Sequence, residues 1–221
     1  MSKGVMDVLT SLQKTFLHKF GGSPFQKSFY LTGGTALAAF YLQHRLSEDL
    51  DFFTDDPAEI RRVIPWLQET ARALKLKLKI LRQTGSFIDC FFESEGDEKL
   101  DVDFAQDAPF RLQKTRLLPE FQIYVDNLTD ISCNKLSALF DRAEPKDFVD
   151  LYFLDREFRP FDKILEKAKI KHVGLDDYWL AQALLRVQAV EKLPRMLKEV
   201  KLDELKSFFL EWARKLIEPR A

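Results

Sequence analysis

The chain has 221 residues, and its 34 Lys and Arg nearly balance its 35 Asp and Glu, which gives a formal net charge of −1 at pH 7. This balance excludes a global electrostatic attraction to nucleic acid, so any site for a polyanion must be local. Cys90 and Cys133 have no Cys or His at ligand spacing, which argues against a disulfide framework and a zinc site. Because no apolar run approaches membrane-spanning length and the N-terminus lacks the features of a signal peptide, we expect a soluble, cytoplasmic protein.

The first predicted elements are a helix, a strand and a second helix. Apolar residues at helical spacing predict a helix over about residues 5–20. The segment "SFYLT" predicts a short buried strand that runs into Gly33 and Gly34. The next segment, "TALAAFYLQHR" (residues 35–45), contains strong helix formers and predicts a helix after the glycine turn.

An acidic strand follows. The segment "DLDFF" alternates acidic and apolar residues, so the period of two in a strand places Asp49 and Asp51 on one face. Pro57 favours the start of a helix that continues to about Leu74. Both aspartates are therefore expected to point the same way, ahead of a long helix.

Three more strands are predicted before residue 106. In "LKLKLKI" (residues 74–80) the leucines are predicted to face inward and the lysines outward. The outward residues are Lys75, Lys77 and Lys79. We interpret this stripe as protection of an edge strand, with a track for RNA as the alternative. The segments "SFIDCFFE" and "KLDVDFA" predict a hairpin joined by a polar turn.

The rest of the chain is predicted to be helical. Helical patterns follow one another from about Ile131 to the C-terminus and indicate a helix bundle. The composition changes between residues 127 and 130. We therefore expect a core over residues 1–127 that includes the N-terminal helix, and a helical lobe over residues 128–221.

Carboxylates dominate the polar face of the predicted sheet. Two carboxylates at positions i and i+2 of a strand repel each other unless a divalent cation neutralises them, and Mg²⁺ is the natural occupant. A two-metal site needs a third carboxylate, and Asp101 and Asp103 lie together on one face of "KLDVDFA". Alternation leaves both open, and we favour Asp103, which lies deeper in the strand.

The glycine turn suits a phosphate. Gly33 and Gly34 have no Cβ, so the backbone N–H groups there can approach a phosphate closely, and Thr35 adds a hydroxyl donor. Strand, glycine turn, helix and acidic strand together indicate a site for a metal-bound nucleotide.

In this order, the motifs resemble those of the nucleotidyltransferases of the AbiEii/AbiGii toxin family, within the DNA polymerase beta-like nucleotidyltransferase superfamily. The resemblance rests on Gly33-Gly34, Asp49-Leu50-Asp51 and Asp103, with the segments "GGTAL", "HRLSEDLDFF" and "NKLSALFDRAEPKDFVDLYFL". It implies an α+β fold in which a mixed nucleotidyltransferase sheet is flanked by helices and followed by a C-terminal helical bundle.

The resemblance also implies an activity. Family members would transfer a nucleoside monophosphate from an NTP to an acceptor hydroxyl and release pyrophosphate, with two Mg²⁺ ions expected when the NTP is bound. Asp49 and Asp51 would bridge the two ions, and Asp103 would ligate the ion on the acceptor side. The chain would be the toxin of a toxin–antitoxin or phage-defence system that acts on RNA such as tRNA, with a possible cognate antitoxin protein and no membrane partner.

Further nucleotide-binding residues are implied beyond the glycine turn. Gly34 stands where many members of the superfamily have a serine, and Thr35 or Ser47 would replace that hydroxyl. Lys135 would contact the triphosphate from the surface of its helix, and Asp147 and Asp150 would orient Lys135 or the nucleotide. Without the resemblance, Lys135 would be interpreted as an ordinary solvated helix residue.

Two other functions stay open. One is an adenylyltransferase that modifies a small hydroxyl compound such as an aminoglycoside. The other is a catalytically silent member that binds a partner protein or a nucleotide without turnover, although the three retained carboxylates argue against it.

Overall fold

In the computed structural model, which describes residues 8–218, the chain forms two compact units. The first unit contains the residues up to Tyr41 and Ser47–Asn127, and the second contains Leu42–Leu46 and the residues from Leu128 onward. Within residues 8–218, no helix is both long and apolar enough to cross a membrane.

The first unit is built on one mixed sheet. Its elements within the described residues are α1 Ser11–Gly21, β1 Tyr30–Thr32, α2 Gly33–Leu37, β2 Leu50–Thr54, α3 Pro57–Leu74, β3 Lys77–Gln83, β4 Phe87–Glu93, β5 Lys99–Gln106, β6 Arg116–Leu118 and β7 Ile123–Val125. The strand order is β3-β4-β5-β2-β1-β7-β6, and β2 pairs in parallel with β5 and β1 in parallel with β7. The sheet and the helices confirm the predicted α+β class.

One face of this sheet carries the core. Alternate residues of the central strands, such as Phe52 and Phe104, are fully buried, and their rings stack with centroids 5.3 Å apart. Phe20 of α1 packs on Phe52 at 4.2 Å, and Trp66 of α3 packs edge-on against Phe20 at 5.4 Å. The helices α1 and α3 cover this face. Successive side chains of a strand point to opposite faces, so Asp51 and its neighbours lie on the other face.

The second unit is helical. Its elements within the described residues are α4 Leu128–Asp141, α5 Pro145–Glu157, α6 Phe161–Lys171, α7 Asp177–Leu185, a 3₁₀ turn at Arg186–Ala189 and α8 Leu202–Ile217. Phe148 of α5 packs edge-on against Phe209 of α8, with centroids 5.0 Å apart. The segment Leu42–Leu46 joins this unit through a β-bridge between Arg45 and Met196. The predicted C-terminal bundle is confirmed.

Several boundaries differ from the prediction. The start of the first predicted helix, residues 5–7, lies outside the described residues. The helix predicted over residues 35–45 ends early: α2 ends at Leu37, a π-helical turn continues over Ala38–Leu42, and Gln43 stops the helix with a left-handed φ of 52°. The two short strands β6 and β7 were not predicted, because three residues are too few to show a period.

Candidate active site

Three aspartates lie side by side across the centre of the sheet. Asp51 of β2 pairs in register with Asp103 of β5, and Asp103 pairs with Asp89 of β4. Neighbouring strands are about 4.8 Å apart, so the three Cα atoms span about 10 Å. Directly paired residues point to the same face. We call Asp51, Asp89 and Asp103 the carboxylate row.

Two more aspartates extend this acidic region by one step along the strands. Asp49 immediately precedes β2, and Asp101 lies two residues before Asp103 on β5. Both are exposed, whereas the three members of the row are half-buried. Alternation therefore places five carboxylates on one face of the sheet.

Burial and mutual repulsion together raise the pKa values of carboxyl groups on this face. Burial, followed by the negative charges of Asp51, Asp89, Asp49 and Asp101, raises the pKa of Asp103 to about 7. Burial, followed mainly by the charge of Asp49, also raises the pKa of Asp101. Like charges held this close favour protonation or the binding of a cation.

Short contacts hold the chain around Asp49 and Asp51. The Thr35 hydroxyl donates to the Asp49 carbonyl at 2.5 Å, so this buried hydroxyl fixes the strand rather than facing solvent. The Gln13 side chain donates to the carbonyls of Ser47 and Glu48 at 3.0 and 3.1 Å. The loop that leads into β2 is thus tied to both α1 and α2.

Gly33 lies against the carboxylate of Asp51. Its φ of 70° is in the left-handed region, and a Cβ added there would overlap the Asp51 carboxylate. A side chain at this position would therefore be strained and would displace the metal ligand predicted at Asp51. The glycine is required by both the turn and the close approach.

In the second unit, a different aspartate is surrounded by cations. Asp150 of α5 is fully buried and accepts hydrogen bonds from Arg45 Nε at 2.6 Å and Nη2 at 2.9 Å. Lys135 Nζ lies 2.6 Å from Asp150 Oδ2, and His44 Nε2 lies 2.8 Å from Oδ1. Burial alone would raise the pKa of Asp150, but the charges of Lys135 and Arg45 hold it well below its usual range. We call these four residues the Asp150 network.

Asp147 has a separate set of partners. Its carboxylate accepts two hydrogen bonds from the Arg142 guanidinium, both at 2.9 Å, and one from the backbone N–H of Glu144 at 3.3 Å. Asp147 therefore caps the N-terminus of α5.

Comparisons with known proteins identify the family of this chain. The family model described as nucleotidyl transferase AbiEii toxin, type IV TA system, matches residues 15–214. The chain belongs to this family. It is accordingly a nucleotidyltransferase, and the predicted family and enzyme class are confirmed.

One sequence relative and two solved structures show what this chain is similar to. An uncharacterized protein of Aquifex aeolicus (strain VF5) is 28% identical over 219 residues, which cover 96% of this chain and 100% of the relative. MenT4, a nucleotidyltransferase toxin from Mycobacterium tuberculosis H37Rv, has a TM-score of 0.69 at 16% identity, over 95% of this chain and 83% of MenT4. JHP933 from Helicobacter pylori has a TM-score of 0.60 at 20% identity, over 98% and 93% of the two chains. At these identities, the two solved structures show the fold alone.

The expected surface position of Lys135 in this AbiEii family member is wrong. Lys135 is only 6% exposed, because its ammonium group is paired with the buried Asp150. Helical spacing alone did not distinguish a solvated lysine from one that reaches a buried carboxylate on the next helix. That Asp147 and Asp150 orient Lys135 or the nucleotide stays a prediction.

Asp89 is the member of the row that the sequence reasoning missed. A signal was available, because the alternation in "SFIDCFFE" puts Asp89 on the face opposite the buried Ile88 and Cys90. What the sequence did not contain was the register that sets Asp89 beside Asp103.

The donor set of the row suits a hard divalent cation. Carboxylate oxygens are the ligands that Mg²⁺ prefers. Burial first, and then the charges of the neighbouring carboxylates, raise the pKa of Asp103, and a cation would offset those charges. Within residues 8–218, no group of three or more His, Cys, Asp or Glu side chains is already closed into a metal-binding arrangement. The side chains would therefore have to adjust around an ion.

Proposed function

We propose that this AbiEii family member is a Mg²⁺-dependent enzyme that moves a nucleoside monophosphate from an NTP to an acceptor hydroxyl on RNA such as tRNA, with release of pyrophosphate. The observation that carries the proposal is the register that sets Asp51 of β2 beside Asp103 of β5. We further propose that residues 1–127 form the catalytic core, that residues 128–221 form a helical lobe, and that a cognate antitoxin protein restrains the activity.

Asp49, Asp51 and Asp103 are proposed to hold two Mg²⁺ ions. When bound, these ions would neutralise charge at the α-phosphate and lower the pKa of the acceptor hydroxyl. Asp103 is preferred over Asp101 as the third ligand, because Asp103 is paired directly with Asp51 whereas Asp101 is exposed. The carboxylates contribute mainly by fixing the positions of the reacting groups.

Other residues are proposed to bind the nucleotide. The glycine turn presents backbone N–H groups to phosphate oxygens, as Gly33 and Gly34 have no side chain in the way. Lys135 is proposed to contact the triphosphate, and its pairing with Asp150 would hold the ammonium group in place. The proposed nucleotide-binding set is Gly33, Gly34, Thr35, Ser47, Lys135, Asp147 and Asp150. Within this set the buried Thr35, Asp147 and Asp150 are proposed to act in support, by fixing the chain before β2, the start of α5 and the ammonium group of Lys135.

The decisive experiment is label transfer. Purified protein is incubated with Mg²⁺, each α-³²P-labelled NTP in turn and total cellular RNA, and both labelled RNA and pyrophosphate are measured. We expect Asp51→Asn and Asp103→Asn to reduce transfer at least about 100-fold, because charge stabilisation at the reacting phosphate is lost. Circular dichroism checks that both variants remain folded.

Asp97→Asn is the matched control. Asp97 is an exposed aspartate of the same unit with a φ of 59°, which asparagine adopts readily. We expect this variant to retain wild-type transfer. Full activity of Asp51→Asn would refute the proposal, and label on an aminoglycoside instead of RNA would favour the small-molecule adenylyltransferase.

A further inference from the structure

The face of the sheet that carries the carboxylate row continues towards the β3 edge as a cluster of cations. Lys77 and Lys79 of β3 are exposed and pair in register with Glu93 and Phe91 of β4. Phe91 in turn pairs with Asp101 of β5, which lies on the same face as the row. Lys77 and Lys79 therefore point to the side of the sheet on which the aspartates lie.

A β-bulge brings one more cation onto this face. The register of β3 against β4 shifts between Ile80 and Arg82, so Leu81 is the extra residue and Arg82 pairs with Asp89 of the carboxylate row. Without the bulge, alternation would have put Arg82 on the opposite face with Ile80. The bulge thus extends the line of positive charge up to the row itself.

Aromatic rings lie between these cations. Lys79 Nζ lies 5.3 Å and Lys99 Nζ 5.4 Å from the centroid of the Phe91 ring, and the Arg82 guanidinium lies 4.6 Å from that of Phe87. Both rings are half-buried. We call Lys77, Lys79, Arg82, Lys99, Phe87 and Phe91 the basic stripe.

A neighbouring glutamate offsets part of the positive charge of the basic stripe. Glu93 lies between Lys79 and Lys99, with N–O distances of 3.9 and 3.5 Å, and its side chain is only 18% exposed. Lys79 and Lys99 thus share this anion, and both lysine side chains are more than half exposed. The chain as a whole has a net charge of −1, so the stripe is a local departure from neutrality.

We propose that the basic stripe binds the backbone of a single-stranded RNA segment and leads its end to the carboxylate row, which rests on the nucleotidyl transfer proposed above. Cations that follow a backbone, interleaved with aromatic rings on which bases stack, are the usual arrangement for single-stranded nucleic acid. Edge protection accounts for lysines on β3 but not for Phe91 and Phe87 between them, nor for the bulge that turns Arg82 to this face. The alternative that sequence reasoning ranked second is therefore favoured.

The test measures RNA binding without NTP or Mg²⁺, so that it does not depend on catalysis. A fluorescein-labelled single-stranded RNA of about 12 nucleotides is titrated with protein at salt concentrations between about 50 and about 200 mM, and the fluorescence anisotropy is recorded. The test variant is Lys77→Gln with Lys79→Gln, which removes two charges but keeps the β3 edge polar. We expect the plot of log K against log salt to become shallower by about 1.4 for the two lost phosphate contacts.

The matched control removes two charges from helices that cover the other face. Lys19 of α1 and Arg72 of α3 are both exposed, and Lys19→Gln with Arg72→Gln is expected to keep the wild-type salt slope. The proposal is overturned if the wild-type protein does not bind the RNA at the lowest salt, or if the two double variants have the same slope. Size-exclusion chromatography completes the test by showing whether the stripe variant forms oligomers. If it does, and its monomer keeps the wild-type salt dependence of RNA binding, then the lysines only protect the sheet edge. That result also overturns the proposal.

The outcome is separable from that of the label-transfer experiment. If the stripe variant alters RNA binding but the protein transfers no nucleotide, the proposed nucleotidyl transfer is refuted and the proposed RNA-binding surface is supported. If transfer to RNA occurs and the KM for RNA is the same in the stripe variant and the wild type, the enzyme stands and the stripe fails.

Discussion

Asp103 and Asp150 are both aspartates on regular secondary structure, yet their surroundings are opposite. Asp103 lies among four other carboxylates, and its pKa is raised to about 7. Asp150 lies among Lys135, Arg45 and His44, and its pKa is held well below the usual range. Neighbouring charges therefore repel the ionised form of Asp103 and attract the ionised form of Asp150.

This difference indicates two kinds of contribution to function. A cluster of like charges destabilises the fold and persists where a ligand of opposite charge compensates for it. A buried aspartate with its cations already in place needs no ligand and fixes the side chains around it. We therefore interpret the carboxylate row as the place where chemistry occurs, and the Asp150 network as support that positions Lys135.

The largest expected effect follows from removing the charge of Asp150. In Asp150→Asn, Arg45 and Lys135 would stay buried without their anion, and the free energy of unfolding should fall by about 3–5 kcal/mol. Urea denaturation followed by circular dichroism measures the change. The control is Asp141→Asn on α4, an exposed aspartate of the same unit, which should change stability by less than about 0.5 kcal/mol.

A small change in the unfolding free energy of Asp150→Asn would contradict the contrast drawn between Asp103 and Asp150. If Asp150→Asn unfolds at the same urea concentration as the wild type, then the buried cations are satisfied without Asp150, and the network does not support the fold. Lys135→Ala adds a second check. Removing a buried partner of Asp150 should lower the free energy of unfolding, whereas removing a solvated lysine should not.

The second prediction concerns the cation that the carboxylate row is proposed to bind. Mg²⁺ should raise the unfolding free energy of the wild type, by about 2.7 kcal/mol at a concentration of 100 times its dissociation constant. Thermal unfolding with MgCl₂ or EDTA measures this, and the increase should disappear in Asp51→Asn but persist in Asp97→Asn. If Mg²⁺ stabilises all three proteins equally, its site lies elsewhere.

Much of the fold and part of the site were predictable from local pattern. Alternation in "DLDFF" and "KLDVDFA" put Asp51 and Asp103 on polar strand faces, and the glycine pair marked the start of α2. These are short-range features, because strand alternation and glycine backbone freedom depend on a few neighbouring residues. The helical second unit was predictable for the same reason.

Long-range pairing was not predictable. The sequence did not reveal that β5 pairs with β2 although α3, β3 and β4 lie between them in the chain. It also did not reveal the bulge at Leu81, since one inserted residue reverses the facing of all later side chains in the strand. The burial of Lys135 depends on a contact with another helix, which no local period encodes.

The third prediction tests how closely the chain fits around Asp51. In Gly33→Ala, the left-handed φ of 70° and the overlap of the new Cβ with Asp51 should lower the free energy of unfolding by about 1–2 kcal/mol. The Mg²⁺-dependent stabilisation should also weaken, because Asp51 is displaced. Gly96→Ala is the control, since the nearest atom to its Cβ would be 3.9 Å away. Equal stability of the two variants would mean that the turn tolerates a side chain and that Asp51 has room to move.

The smallest effect is a pH dependence at Asp103, measured in EDTA. The pKa of Asp103 is about 7 in the folded state and about 3.9 in the unfolded state, so between these values the folded protein holds a proton that the unfolded chain has lost. The unfolding free energy contributed by this group is therefore fully present below about pH 4 and is lost as the pH rises through about 7. Asp103→Asn lacks this loss, so relative to the wild type it should gain about 1 kcal/mol between pH 4 and pH 8, after allowance for solvent screening. Asp97→Asn should show no such gain, and a gain of the opposite sign in Asp103→Asn would mean that Asp103 is held ionised, as Asp150 is.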